Sequence, residues 1–321
     1  MNTDTKTDTK TDTKTDVNAN TDSDIDTDTY DSDSYCKQET TARGSSFYYS
    51  FLFLPPKKRQ AIQALYAFCH EVDEVLDSCS DKMVAKIKLA WWSQEIERIF
   101  LNQPLHPIGR SLIEPIKDYN LKRHLFEEIL QGISMDLQYQ GYQNFDDLRV
   151  YCHCVASCVG LLAAEIFGYQ DLQTLEYAKN LGIAMQLVNI IRDVGEDANL
   201  GRVYLPEDEL RQFNLTPEQI LQKSYNSNLQ KNCHDNFQEN FQALMQYQAT
   251  RARNYYQKAL DALPEIDRGT QVSGLIMGEI YFTLLKEIEK SDFQVLQQRI
   301  SLTPLRKFWI AWRCSRKNKN K

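Results

Sequence analysis

The sequence predicts an all-α protein, one bundle of about eight long helices. From Ser45 onward, apolar residues recur at three- and four-residue spacing, the period that gathers them on one face of a helix. Breakers are scarce, with 12 glycines and 9 prolines in 321 residues. Strand-like alternation between Gly-rich turns is absent, and no linker is long enough to separate domains.

Helices are expected at roughly 57–79, 83–101, 106–118, 121–139, 146–168, 171–194, 228–262 and 268–290. Pro55-Pro56 precedes the first, Pro104 and Pro107 part the second from the third, and Gly141 closes the fourth. Gly168 to Asp171 interrupts the pattern after the fifth, Gly201 to Pro206 and Pro217 follow the sixth, and Pro264 parts the last two. Three regions result: a Thr/Asp-rich tail at 1–43, a helical domain at 44–300 and a basic amphipathic segment at 301–321. The tail opens with a repeated Thr-Asp-Thr-Lys unit and has almost nothing apolar to bury, so disorder is expected there.

The net charge of −7 belongs to the tail, because residues 1–40 hold eleven acids against four lysines. The remainder is neutral, yet residues 299–321 carry eight Lys or Arg and no acid. That distribution suits a membrane surface or a polyanion and excludes nucleic-acid binding by the protein as a whole. Eight cysteines scattered through helical sequence point to reduced thiols in the cytoplasm. No uninterrupted apolar run reaches the ~18 residues of a membrane span.

Two acidic clusters carry the chemistry. Asp73 and Asp77 lie at i and i+4, on one face of the first long helix. Alone, such a pair reads first as a solvated acidic stripe. In the sixth helix Asn189, Asp193 and Asp197 fall at i, i+4 and i+8, with Gln186 a turn earlier and Ile183, Ala184, Leu187, Ile190 and Ile191 alongside. Acids on a largely buried helix are costly unless a cation meets them. An oxygen-only donor set without a His/Cys group favours magnesium, with manganese as a substitute, bridged to substrate phosphate. Arg192 and Arg202, permanently charged, suit the same phosphates.

The residues Gly182-x-x-x-Gln186-x-x-Asn189-Ile-x-Arg192-Asp193-x-x-x-Asp197, followed by Arg202-Val-Tyr204-Leu-Pro206, resemble a signature of the squalene and phytoene synthase family. Tyr151-Cys-His-Cys-Val-Ala-Ser-Cys-Val-Gly160 is similar to its other signature, and the resemblance spans about residues 44–315. Ser45-Ser46-Phe47-Tyr48-Tyr49 and the stretch from Gln298 to Arg306 look most like bacterial presqualene diphosphate synthases of hopanoid pathways.

The resemblance implies an isoprenoid-synthase helical bundle around a central active-site cavity, and magnesium-dependent head-to-head condensation of two farnesyl diphosphates. It implies Asp73, Asp77, Asn189, Asp193 and Asp197 as metal ligands, and Tyr151 as a residue that handles ionisation and protons. Ser46, Phe47, Tyr66, His70, Gln186, Arg192, Arg202, Tyr204, Tyr281 and Arg299 are the substrate-binding set, and residues 198–206 the flap. NADPH is not expected, since no Gly-rich dinucleotide fingerprint is present. Downstream squalene or hopanoid enzymes are the implied partners. Phytoene formation from geranylgeranyl diphosphate, an NADPH-dependent squalene synthase, and an inactive lipid-binding or scaffold protein stand as alternatives.

His70 departs from the family, which usually carries Arg three residues before the first Asp; either the site protonates it or a neighbour supplies the charge. Cys152-His153-Cys154…Cys158 invites a zinc reading, but at about 100° per helical residue only Cys154 and Cys158 share a face, so packing is the expected role. The small residues Gly160, Ala163, Ala164, Gly182 and Ala184 either make room for prenyl tails or let helices approach. Phe308, Trp309, Ile310 and Trp312 among Arg306, Lys307, Arg313, Arg316 and Lys317 read either as a helix packed on the bundle or as a peripheral contact with the inner face of the membrane.

Overall fold

The computed structural model describes residues 46–77, 81–225 and 236–319 with Ser32, Ser34 and Cys36; the side chains of Ser46, Asp77, 223–225 and 318–319 are outside the description. Among the described residues there is no strand. The elements are α1 (Ser46–Phe51), α2 (Pro56–Asp77), α3 (Lys82–Phe100), α4 (Pro107–Asp118), α5 (Arg123–Leu137), α6 (Phe145–Cys152), a π-helical turn (His153–Ser157) and α7 (Cys158–Phe167). They continue as α8 (Gln173–Asn199), α9 (Glu207–Gln212), α10 (Pro217–Tyr225), α11 (Phe237–Ala262), a 3-10 turn (Glu265–Asp267), α12 (Val272–Lys290) and α13 (Pro304–Lys319).

Local chemistry sets many boundaries. Asp81 caps α3 by accepting the Met83 N–H at 2.7 Å, and Asn144 caps α6 by accepting that of Asp147 at 3.0 Å. Asn102 and Asn120 stop α3 and α4 at φ of 59° and 52°, a left-handed backbone that asparagine tolerates. Buried Glu95 accepts the N–H groups of Leu105 and His106 and so ties α3 to the start of α4. Asp267 accepts from Gln170 N, Asp171 N and Thr174 Oγ1 at 2.8, 3.0 and 2.7 Å, which anchors the entry to α8.

Helix α8 is the centre of the bundle. It packs chiefly on α11 and also touches α6, the π-turn, α7, α10 and α12. One apolar cluster forms around α8, α11 and α12, and a second joins α2, α3, α4 and α5 to α7. Cys36 is buried in the second cluster and Ser32 is also buried, while Ser34 is exposed, so the acidic segment reaches the fold there; the other residues of the expected disordered tail lie outside the described residues.

Several boundaries differ from expectation. The predicted helix at 146–168 is interrupted by the π-turn, and the sixth helix runs on to Asn199, so the whole second acidic cluster is helical. The short helices α1, α9 and α10 are too brief to show a period. Phe145–Phe167 is long and apolar enough to cross a membrane, yet half of its apolar window is buried inside the bundle.

Candidate active site

Helices α2 and α8 line one cavity of about 610 Å³. Tyr66, His70 and Asp73, at i, i+4 and i+7, face it from α2, while Phe68, Val72 and Val75 are buried away from it. Gln186, Asn189, Arg192, Asp193 and Asp197 face it from α8, backed by buried Leu187, Ile191 and Val194. Phe47, Tyr151, Arg202, Tyr204, Tyr281 and Arg299 complete the set. The side chains of Ser46 and Asp77 lie outside the described residues.

The α8 face concentrates negative charge. Asp193 is held by Arg192 Nε at 2.7 Å and by Arg299 Nε at 3.2 Å. Asp197 is pushed up to about 7 from an ordinary 3.8, first by burial and then by the charges of Asp193 and Asp136, against the pull of Arg202. Asn189 donates to Gln186 Oε1 at 3.2 Å, which leaves its own Oδ1 buried without a partner. Crowded carboxylates beside an unsatisfied amide oxygen form an oxygen-only donor set that a hard dication would satisfy, so the residues present fit magnesium.

Among the described lining residues the cations are Arg192, Arg202 and Arg299. None stands at the position of His70, which instead lies 3.8 Å from Glu74 on its own helix. The fixed positive charge of the cavity therefore comes from α8, the loop after it and the segment before α13.

Near Asp197 stands an aromatic wall held by a residue that sequence reasoning missed. Asp136 of α5 is buried and accepts hydrogen bonds from Tyr151 Oη and Tyr204 Oη, both at 2.8 Å. Burial, together with the Asp136 charge, drives both phenols well above the usual tyrosine range, so they keep their protons. Tyr204 stacks on Tyr151 and Tyr142 with centroids 5.4 and 6.1 Å away. The available signal for Asp136 was an acid set inside the apolar stripe of Ile129, Ile133 and Leu137, since buried acids need partners.

The segment after α8 folds back over this wall. Gly201 takes φ +75°, the Arg202 N–H reaches the Asp197 carbonyl at 2.9 Å, and the Val203 N–H reaches Tyr139 Oη at 2.9 Å. Leu200 lines the cavity while remaining largely exposed. In the depth of the cavity Gly160 and Gly182 do pack closely: a Cβ on Gly182 would lie 2.7 Å from the Ala156 carbonyl oxygen and Ser157 Cα.

Residues 40–306 match the squalene/phytoene synthase family. This chain belongs to that family. Among its relatives, a phytoene synthase of Arthrospira platensis is 34% identical over 283 residues, covering 84% of this chain and 88% of that protein. A 15-cis-phytoene synthase of Synechococcus elongatus is 31% identical over 284 residues, covering 85% and 88%. A dehydrosqualene synthase structure superposes with a TM-score of 0.79 at 24% identity, over 93% of this chain and 100% of that one. A squalene synthase from Alicyclobacillus acidocaldarius gives 0.70 at 24%, over 83% and 96%. At that identity the two structures establish the isoprenoid-synthase fold. Squalene/phytoene synthase family members are prenyltransferases that use prenyl diphosphates.

Proposed function

We propose that this chain condenses two farnesyl diphosphates head to head, releasing pyrophosphate and stopping at presqualene diphosphate. The reading rests above all on two acid-bearing helices that share one cavity with three arginines. Asp73, Asn189, Asp193 and Asp197 would hold magnesium, with Asp77 one turn beyond Asp73. Bound there, the ion supplies charge stabilisation to the departing pyrophosphate.

The chain's own groups do the rest. Arg192 and Arg299, now paired with Asp193, can exchange the carboxylate for phosphate oxygens, and Arg202 can join them. Phe47, Tyr66, Tyr151 and Tyr204 line the cavity, keep water from an allylic cation and offer it ring faces. A proton lost when the cyclopropane closes can reach Tyr151 Oη, whose own proton passes along the hydrogen bond to Asp136.

A second reading, phytoene formation from geranylgeranyl diphosphate, is favoured by relatives named phytoene synthases. Purified protein with magnesium and either substrate decides between them. A thirty-carbon diphosphate from farnesyl diphosphate supports the first reading, and turnover of the longer substrate alone supports the second. Added reduced nicotinamide tests whether the product is carried on to squalene. Failure of folded protein to release pyrophosphate from either would leave only the binding or scaffold role.

The proposed product carries a long apolar hydrocarbon tail, and α13 suits peripheral docking on anionic lipid. Ile310, Ala311 and Ser315 pack inward while Leu305, Phe308, Trp309 and Trp312 stay exposed among the basic residues. Sedimentation with anionic vesicles, lost in the Trp309→Ala/Trp312→Ala double variant, is the expected result. Equal binding to neutral vesicles would refute the electrostatic part.

A further inference from the structure

The π-turn that follows Tyr151 builds a second cluster, outside the cavity. In a regular α-helix residues five apart diverge by about 140°. Here His153–Ser157 is π-helical, and the Cys158 N–H bonds to the His153 carbonyl, so Cys158 stands over His153. Their Nε2 and Sγ atoms are 3.8 Å apart. Glu128 of α5 meets both, with Oε2 at 3.1 Å from the imidazole nitrogen and 3.3 Å from the sulfur. The expectation that His153 and Cys158 point apart is thereby overturned, because it assumed an unbroken α-helix.

These three separations are informative. A tetrahedron drawn with ordinary zinc–sulfur, zinc–nitrogen and zinc–oxygen lengths has edges of about 3.3 to 3.6 Å. One thiol, one imidazole and one carboxylate thus already stand close to the edges of a zinc coordination sphere. Cys158 is fully buried beneath, while the His153 and Glu128 side chains are about a third exposed, which gives an ion a path from solvent. Cys154, buried on the same turn, is near enough that the Glu128 charge adds to burial in raising its thiol.

We infer that Glu128, His153 and Cys158 form a zinc site, with water or Cys154 in the fourth position. Binding releases the Cys158 thiol proton to solvent and leaves a thiolate, a neutral imidazole and a carboxylate on the ion. His153 Nδ1 is buried without a partner, so the ring lacks the supporting hydrogen bond of the tightest sites and the affinity is expected to be moderate. The ion would clamp α5 to the π-turn. Asp136 lies two turns further along α5 and Tyr151 two residues before His153, so the clamp braces the helices that carry the Asp136–Tyr151 hydrogen bond.

The test is a cobalt(II) titration of the reduced, chelator-stripped full chain. The expected result is a thiolate-to-cobalt charge-transfer band that saturates at one equivalent, disappears on addition of zinc and is absent from Cys158→Ser. Cobalt among the oxygen donors of the cavity gives no thiolate band, so the two sites are distinguishable and the outcome is independent of turnover. His153→Ala should weaken cobalt binding by about tenfold or more. Folded, reduced wild-type protein with no thiolate band would leave the cluster as a hydrogen-bonded triad only and overturn the inference. So would a band that survives in Cys158→Ser or keeps its affinity in His153→Ala, and the latter variant decides the matter if the former does not fold.

Discussion

Asp197 offers the sharpest test of the charge arrangement in the cavity. Burial and the neighbouring acids disfavour its charged form and push its carboxyl up to about 7 in the fold from an ordinary 3.8. The sign follows from linkage. Between these values the folded state binds more protons than the unfolded one, so stability falls as pH rises, by about 1.36 kcal/mol per unit. Ionisation therefore costs the folded chain up to about 4 kcal/mol above pH 7, an upper bound because the group is only half-buried. Asp197→Asn removes this cost. In chelator, the stability advantage of the variant should grow by about 2 to 3 kcal/mol between about pH 5 and pH 8. Urea denaturation followed by far-ultraviolet circular dichroism measures it. Magnesium should narrow the gap at the higher pH by stabilising the wild type, with its full set of carboxylates, more than the variant, by up to about 2.7 kcal/mol at a hundredfold excess over Kd. A variant advantage that stays constant across this pH range would refute the reasoning.

Asp73→Ala and Asp193→Ala should each abolish pyrophosphate release while leaving helical content unchanged; loss of the dichroism signal instead would make these acids structural. Asp136→Asn should cost about 1.5 to 3 kcal/mol by replacing a charged acceptor shared by two buried phenols. It should also move the pH dependence of magnesium binding downward, since the Asp136 charge helps to raise Asp197; an unshifted profile would disconnect the two groups. Gly182→Ala should destabilise by about 1 to 3 kcal/mol, read as a lower thermal midpoint, because the added methyl meets the backbone of the π-turn. An unchanged midpoint would mean that α8 can shift at little cost.

Helical periodicity and the i, i+4, i+8 oxygens of Asn189, Asp193 and Asp197 determine from the sequence alone an all-α fold with an acidic face on one helix. Both follow from the geometry of a single element, as does the facing of Asp73 on α2. Sequence spacing has no means of stating what meets that face. Only the packed bundle decides that α2 and α8 share a cavity, that Arg192 and Arg299 converge on Asp193, and that Asp136 anchors Tyr151 and Tyr204 from another helix. The π-turn was likewise hidden, because one residue's change of register in the backbone leaves the apolar pattern nearly intact. It nevertheless turns His153 and Cys158 toward the same Glu128. Local period is written along the chain, whereas the meeting of side chains from separate helices depends on how the whole core closes.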